Sequence, residues 1–168
     1  METVKNPKSF FKWFGLAGTG WLVLWLTDHW FEYVLYPIAI EIGGMLYGGL
    51  FMVTVSFLGT WAQFIVYDWM GKDLLGFEKM KSWKFVAWFL KKEGSHKIDT
   101  LKTALGVLVL SIYIEPFKLT LLFRRGSYSG LSRRDWGVFI AGVIVSNTSW
   151  TLLVTGVLKI IHFLFGLN

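Results

Sequence analysis

The 168 residues are 54% hydrophobic and 17% charged, and the apolar ones fall in runs too long for an ordinary soluble fold. The formal net charge of +6 sits mainly in Lys and Arg between those runs, the pattern of loops that face anionic lipid; nucleic acid is not an expected partner. There is no cysteine, which removes disulfides, thiolate catalysis, Cys-ligated zinc and iron–sulfur clusters together.

The N-terminus sets Lys5, Lys8 and Lys12 against a single Glu2, which places it in the cytoplasm by the positive-inside tendency. No small-x-small cleavage pattern follows the first apolar run, so residues 10–27 are expected to stay as a transmembrane helix. Its GLAGTG stretch offers small residues for helix contact; as a phosphate loop it lacks the Lys-Ser/Thr ending and a preceding strand. The following DHWFEYVLYP reads as the outer interface, where charges and amphipathic rings collect at headgroup depth and Pro37 opens the next helix. His29 and Glu32 have a metal-ligand spacing, but one histidine and two carboxylates at a wet interface need no metal.

The second apolar run, 37–67, holds two glycine pairs, and a row of small residues at i, i+4 passes from Gly44 and Gly48 to Ser56 and Thr60. Such a row lets another helix backbone approach closely, so Gly44 and Gly48 are expected against a neighbouring helix. Glu41 lies one turn inside this run, where it either snorkels to the outer surface or faces a polar space.

Between 68 and 100 comes the most polar stretch, the expected cytoplasmic loop. Within it an amphipathic helix over about 77–92 is expected to lie in the inner headgroup layer, with Lys81, Lys84, Lys91 and Lys92 on lipid phosphates.

The third run, 101–123, carries Glu115-Pro116-Phe117-Lys118 in its middle. An opposite-charge i, i+3 pair around a proline predicts a kink, with Glu115 and Lys118 facing the protein interior. Arg124, Arg125, Arg133 and Arg134 then crowd the next connection and are also expected at lipid headgroups, and Ser132 with Asp135 spells a capping box for the last helix. If 101–123 spans, these arginines fall outside, against the positive-inside bias; a re-entrant hairpin bent at Glu115-Pro116 would return them to the cytoplasm. The spanning alternative is preferred because each limb of a hairpin holds only about a dozen residues. In the final run, 136–165, Gly142, Ser146 and Asn147 are expected to pack against another helix, with Asn147 hydrogen-bonded across it.

The fold expected is therefore all-α: a single membrane domain over 1–168 with about four transmembrane helices and an amphipathic cytoplasmic helix between the second and third. No hydrolase, zinc-protease, P-loop or dinucleotide motif is present, so no catalytic residue, metal or cofactor is expected. The function expected is that of a non-enzymatic subunit or scaffold in the plasma (inner) membrane, joining a homo-oligomer or larger complex through its small-residue ridges. The alternative is a small channel, holin-like pore or transporter with Glu41, Glu115 and Lys118 along a polar path.

Overall fold

The computed structural model describes residues 7–71, 73, 76–90, 96–124 and 130–166, and these are helical with no strand among them. Helix α1 (Pro7–Trp30) passes through a π-helical turn (Phe31–Leu35) into α2 (Tyr36–Met70). Two short helices follow, α3 (Phe77–Met80) and α4 (Lys84–Leu90), then α5 (His96–Tyr113), α6 (Pro116–Phe123) and α7 (Arg133–Phe165).

The π turn has a local cause. Pro37 has no N–H to give the carbonyl one turn back, and the wider turn carries the hydrogen bond from the Tyr36 N–H to the Phe31 carbonyl instead. The stretch 28–37, expected as a break between two helices at the outer interface, is therefore helical throughout and belongs to one long arm.

That arm ends at Gly44, whose φ of 65° and ψ of −179° interrupt α2. In a straight helix Ala39 and Gly48 would stand about 13.5 Å apart. Here their backbones touch: a Cβ on Gly48 would sit 2.7 Å from the Ala39 carbonyl carbon and 2.9 Å from the Ile40 Cα. Farther from the bend, Phe31 reaches Gly59, and the residues paired across the bend are those of an antiparallel helical hairpin. Gly44 is thus the turn and not a member of a packing ridge, and its conformation is one that only glycine adopts without strain.

A second reversal corrects the third apolar run. Gly106 and Phe123 would be about 25 Å apart along one helix. A Cβ on Gly106 would instead meet the Phe123 ring at 2.8 Å, because the chain turns back at Ile114-Glu115 and α6 returns along α5. The residues 101–123 are not one continuous helix; they fold as a hairpin bent at Glu115-Pro116, the shape of the re-entrant alternative. Proline dictates this: its ring bars continuation through Glu115, which takes an extended conformation (ψ 152°) and becomes the cap of α6. The short limbs are possible because α6 is enclosed by protein, with Phe117, Leu119, Leu122 and Phe123 almost wholly buried.

Consequently, among the described residues, two helical stretches and not four are long and apolar enough to cross a membrane: Gly18–Met70, folded on itself at Gly44, and Arg133–Phe165. The amphipathic helix expected over 77–92 is also divided, into α3 and α4 around the turn at Lys81 to Trp83. Phe77, Val86 and Phe89 from that region join the main core with Phe64, Phe117 and Phe139. A smaller core of Tyr36, Ile40, Met52 and Val154 closes the hairpin tip against α7.

Helix α7 starts as its sequence predicts. The Asp135 N–H donates to Ser132 Oγ at 3.2 Å, and Asp135 Oδ2 accepts from the Ser132 N–H at 3.0 Å. Its start lies beside the end of α2, through Gly130 and Asp68, and its far end lies at the hairpin tip, where His162 Nε2 is 3.4 Å from Glu41 Oε1.

Candidate functional site: a cleft with a charged end

Helical spacing puts Asp28, Glu32 and Tyr36 on one ridge of the first arm, at i, i+4 and i+8. Trp25, His29 and Tyr33 occupy the neighbouring ridge and stack on one another, with the His29 ring 4.1 Å from Trp25 and 5.4 Å from Tyr33. The arms of the hairpin are close at the tip and diverge toward the other end, and the re-entrant hairpin brings Glu115 and Pro116 up to the space between them. The result is a half-open cleft of about 540 Å³.

Its walls are apolar. Val23, Leu24 and Phe31 line one side, Val66, Tyr67 and Met70 the other. Polar groups reach it from four directions: Asp28 and Glu32 from the first arm, Ser56 and Gln63 from the second, Glu115 from the turn before α6, and Ser146 and Asn147 from α7. A mostly apolar concavity with a few convergent polar groups is the usual form of a small-molecule site.

The charges are arranged around Lys118. Its ammonium donates to Asp28 Oδ2 at 2.8 Å and to Glu115 Oε1 at 3.0 Å, and it lies 5.7 Å from the Trp21 ring centre. The interior pairing of Glu115 with Lys118 is the one their spacing suggested. Asp28, which the sequence reading placed at a wet interface, is the nearer partner, 90 positions away in the chain. The available signal was the shared ridge of Asp28, Glu32 and Tyr36, too polar a face for a helix wholly against lipid. Glu32 makes no hydrogen bond or ion pair among the described residues.

A neutral network borders these charges. The Tyr36 hydroxyl donates to Asn147 Oδ1 at 2.5 Å, while the Asn147 amide donates to Ser56 Oγ at 3.1 Å and to the Val143 carbonyl at 2.7 Å. Asn147 therefore crosses to α2 of its own chain and leaves no amide hydrogen toward an outside helix.

The other small residues are likewise used internally. A Cβ on Gly142 would press on Leu119 at 2.9 Å, and Gly48 lies on the Ala39 backbone. Glu41 is remote from Glu115 and Lys118, beside His162 at the hairpin tip, so the residues read as one polar path divide between two places. Arg124 is buried and grips Asp68 with both guanidinium nitrogens, at 2.6 and 3.1 Å, and its carbonyl accepts from Lys81. Lys84 and Arg133 are exposed and Arg134 is half-buried; Lys91, Lys92 and Arg125 lie outside the described residues. No group of three or more His, Asp or Glu placed to hold a metal occurs among the described residues.

Known proteins offer no match to this chain, whether as family models, curated sequences or solved structures.

Proposed function

We propose that this is a non-enzymatic integral membrane protein that holds a membrane-borne molecule in the cleft between its first two arms, with its N-terminus and basic loops in the cytoplasm. The observation that carries the reading is the pairing of an outward apolar surface with a half-open cleft that shares residues with it, Val23 and Val66 on its two walls being more than half exposed. Leu22, Val23 and Leu26 on the first arm, Leu50, Leu58 and Ile65 on the second, and Ile144, Leu152 and Leu153 on α7 are each more than half exposed. The core helix of a soluble protein would bury such a set; in a bilayer it faces acyl chains at no cost. A cleft that opens through the same surface is reached from the lipid and not from water.

The reading as a scaffold assembled through small-residue ridges has less support, since Gly48, Gly142 and Asn147 are engaged within the chain. A continuous conducting path has less too, with Glu41 at the tip.

The experiment has two parts. The expressed chain is expected to stay in the membrane through alkaline carbonate extraction, and release into the supernatant would end the membrane reading. Purified in mild detergent, it is expected to carry a small molecule visible by native mass spectrometry. The cleft-filling Ala62→Trp should lose that molecule while keeping its helix content. Equal loading of both forms would overturn the cleft.

A further inference from the structure

We infer that the cleft takes a hydrophobic cation: an amphiphile whose apolar body lies between the arms and whose ammonium group meets Glu32 and Asp28. This deepens the reading of the cleft given above and rests on it.

The charge inventory of the cleft decides its sign. Three carboxylates face it, from Asp28, Glu32 and Glu115. Lys118 contacts Asp28 and Glu115 at 2.8 and 3.0 Å, so Glu32 feels the Lys118 and His29 charges only at a distance and has no ion pair of its own among the described residues. The neighbouring imidazole is turned elsewhere: His29 Nδ1 lies 2.9 Å from the Trp25 carbonyl, and its ring belongs to the outer aromatic stack. A half-buried carboxylate in an apolar groove is costly unless a counter-charge reaches it. No cation among the described residues makes contact with Glu32, and a ligand ammonium would supply that contact.

The neutral groups point the same way. The Tyr36 hydroxyl is donated to Asn147, and the Asn147 amide hydrogens go to Ser56 and Val143. An anionic headgroup would therefore meet three carboxyl groups and, as further donors, only neutral groups such as Gln63 and Ser146, with Lys118 already held by Asp28 and Glu115. An ammonium, with hydrogens to give and a positive charge, meets open acceptors. The apolar walls set the rest of the ligand, a chain or ring system that partitions into lipid first and enters sideways.

The test uses the full chain in lipid nanodiscs with radiolabelled dodecylamine as probe, and dodecanol and dodecanoate as uncharged and anionic competitors. Saturable binding is expected, displaced by unlabelled dodecylamine and only weakly by the other two. Glu32→Gln should weaken it at least about tenfold, the worth of one charge-assisted hydrogen bond. Glu41→Gln, at the hairpin tip, should leave it unchanged.

Ala62→Trp and, from the opposite wall, Val23→Trp should block the site, and whichever keeps the wild-type unfolding temperature serves as the reference. If Glu32→Gln binds as wild type, or dodecanoate competes as well as the amine, the cation proposal falls while blockage by tryptophan keeps the cleft. If dodecylamine does not saturate, or tryptophan leaves its binding intact, the cleft reading falls with it.

Discussion

Lys118 is the residue on which the interior charges depend. Its ammonium stands between Asp28 on the first arm and Glu115 at the re-entrant turn, with only 18% of its side chain exposed. Lys118→Met would leave two carboxylates facing each other with no counter-charge, an arrangement that costs on the order of 3 to 5 kcal/mol. The expected result is a large drop in the thermal unfolding midpoint. The triple variant Asp28→Asn, Glu115→Gln, Lys118→Met should recover most of it, because removal of all the charges removes the desolvation cost as well. A single variant as stable as the wild type would mean that this contact is incidental.

Gly44 and Gly48 separate two kinds of steric demand at the same bend. A Cβ on Gly44 would touch nothing within 4 Å, but φ is 65° there, so Gly44→Ala meets backbone strain of about 1 to 3 kcal/mol and the hairpin should still close. Gly48→Ala meets the Ala39 and Ile40 backbone, which cannot step aside as a side chain could. Thermal unfolding should rank Gly48→Ala as the more damaging. The reverse order would place the reversal elsewhere.

At the level of elements, what the sequence reveals is local. Ser132 and Asp135 are three residues apart, as are Glu115 and Lys118, and the proline between the latter pair can only break the helix; these features are legible because cause and effect lie within one turn. Hairpins are a different matter. A row of glycine, serine and threonine at i, i+4 looks the same whether a second chain packs on it or the same chain folds back, and only Gly44's positive φ distinguishes them. Gly106, which the sequence did not mark, admits the rings of Phe123 and Phe89 and makes the short α5–α6 hairpin possible. Asp28 lay hidden for a similar reason: its partner sits on the second hairpin, and charge at a helix end resembles charge at a membrane surface.

The ends of these elements are tied by one clasp. Arg124, 5% exposed, holds Asp68 at the end of α2 with two hydrogen bonds and the Gly130 carbonyl, at 2.8 Å, with another. Asp68 in turn accepts from the Gly130 N–H at 3.1 Å, and Lys81 caps the Arg124 carbonyl at 2.9 Å. Arg124→Lys keeps the charge but cannot reproduce the fork, so a loss of about 1 to 3 kcal/mol is expected in thermal unfolding. An unchanged midpoint would show that a point charge suffices.

Over the whole molecule, the clasp settles where the basic loops lie relative to one another. Asp68, Arg124 and Gly130 meet, so the loop after α2, the end of the re-entrant hairpin and the start of α7 share one end of the bundle. The far end of α7 reaches the hairpin tip, through His162 and Glu41. Arg124 and Arg133 therefore lie at the same end as Lys81, an arrangement that in a membrane would agree with the positive-inside bias. The native chain has no cysteine, so single cysteines at Lys84, Arg133 and Lys159 can be labelled one at a time in sealed vesicles with an impermeant maleimide. Lys84→Cys and Arg133→Cys should react from the same side and Lys159→Cys from the other. Four full crossings would give a different result, with positions 84 and 159 together and 133 opposite, and that pattern would overturn the re-entrant hairpin and the single-sided basic face together.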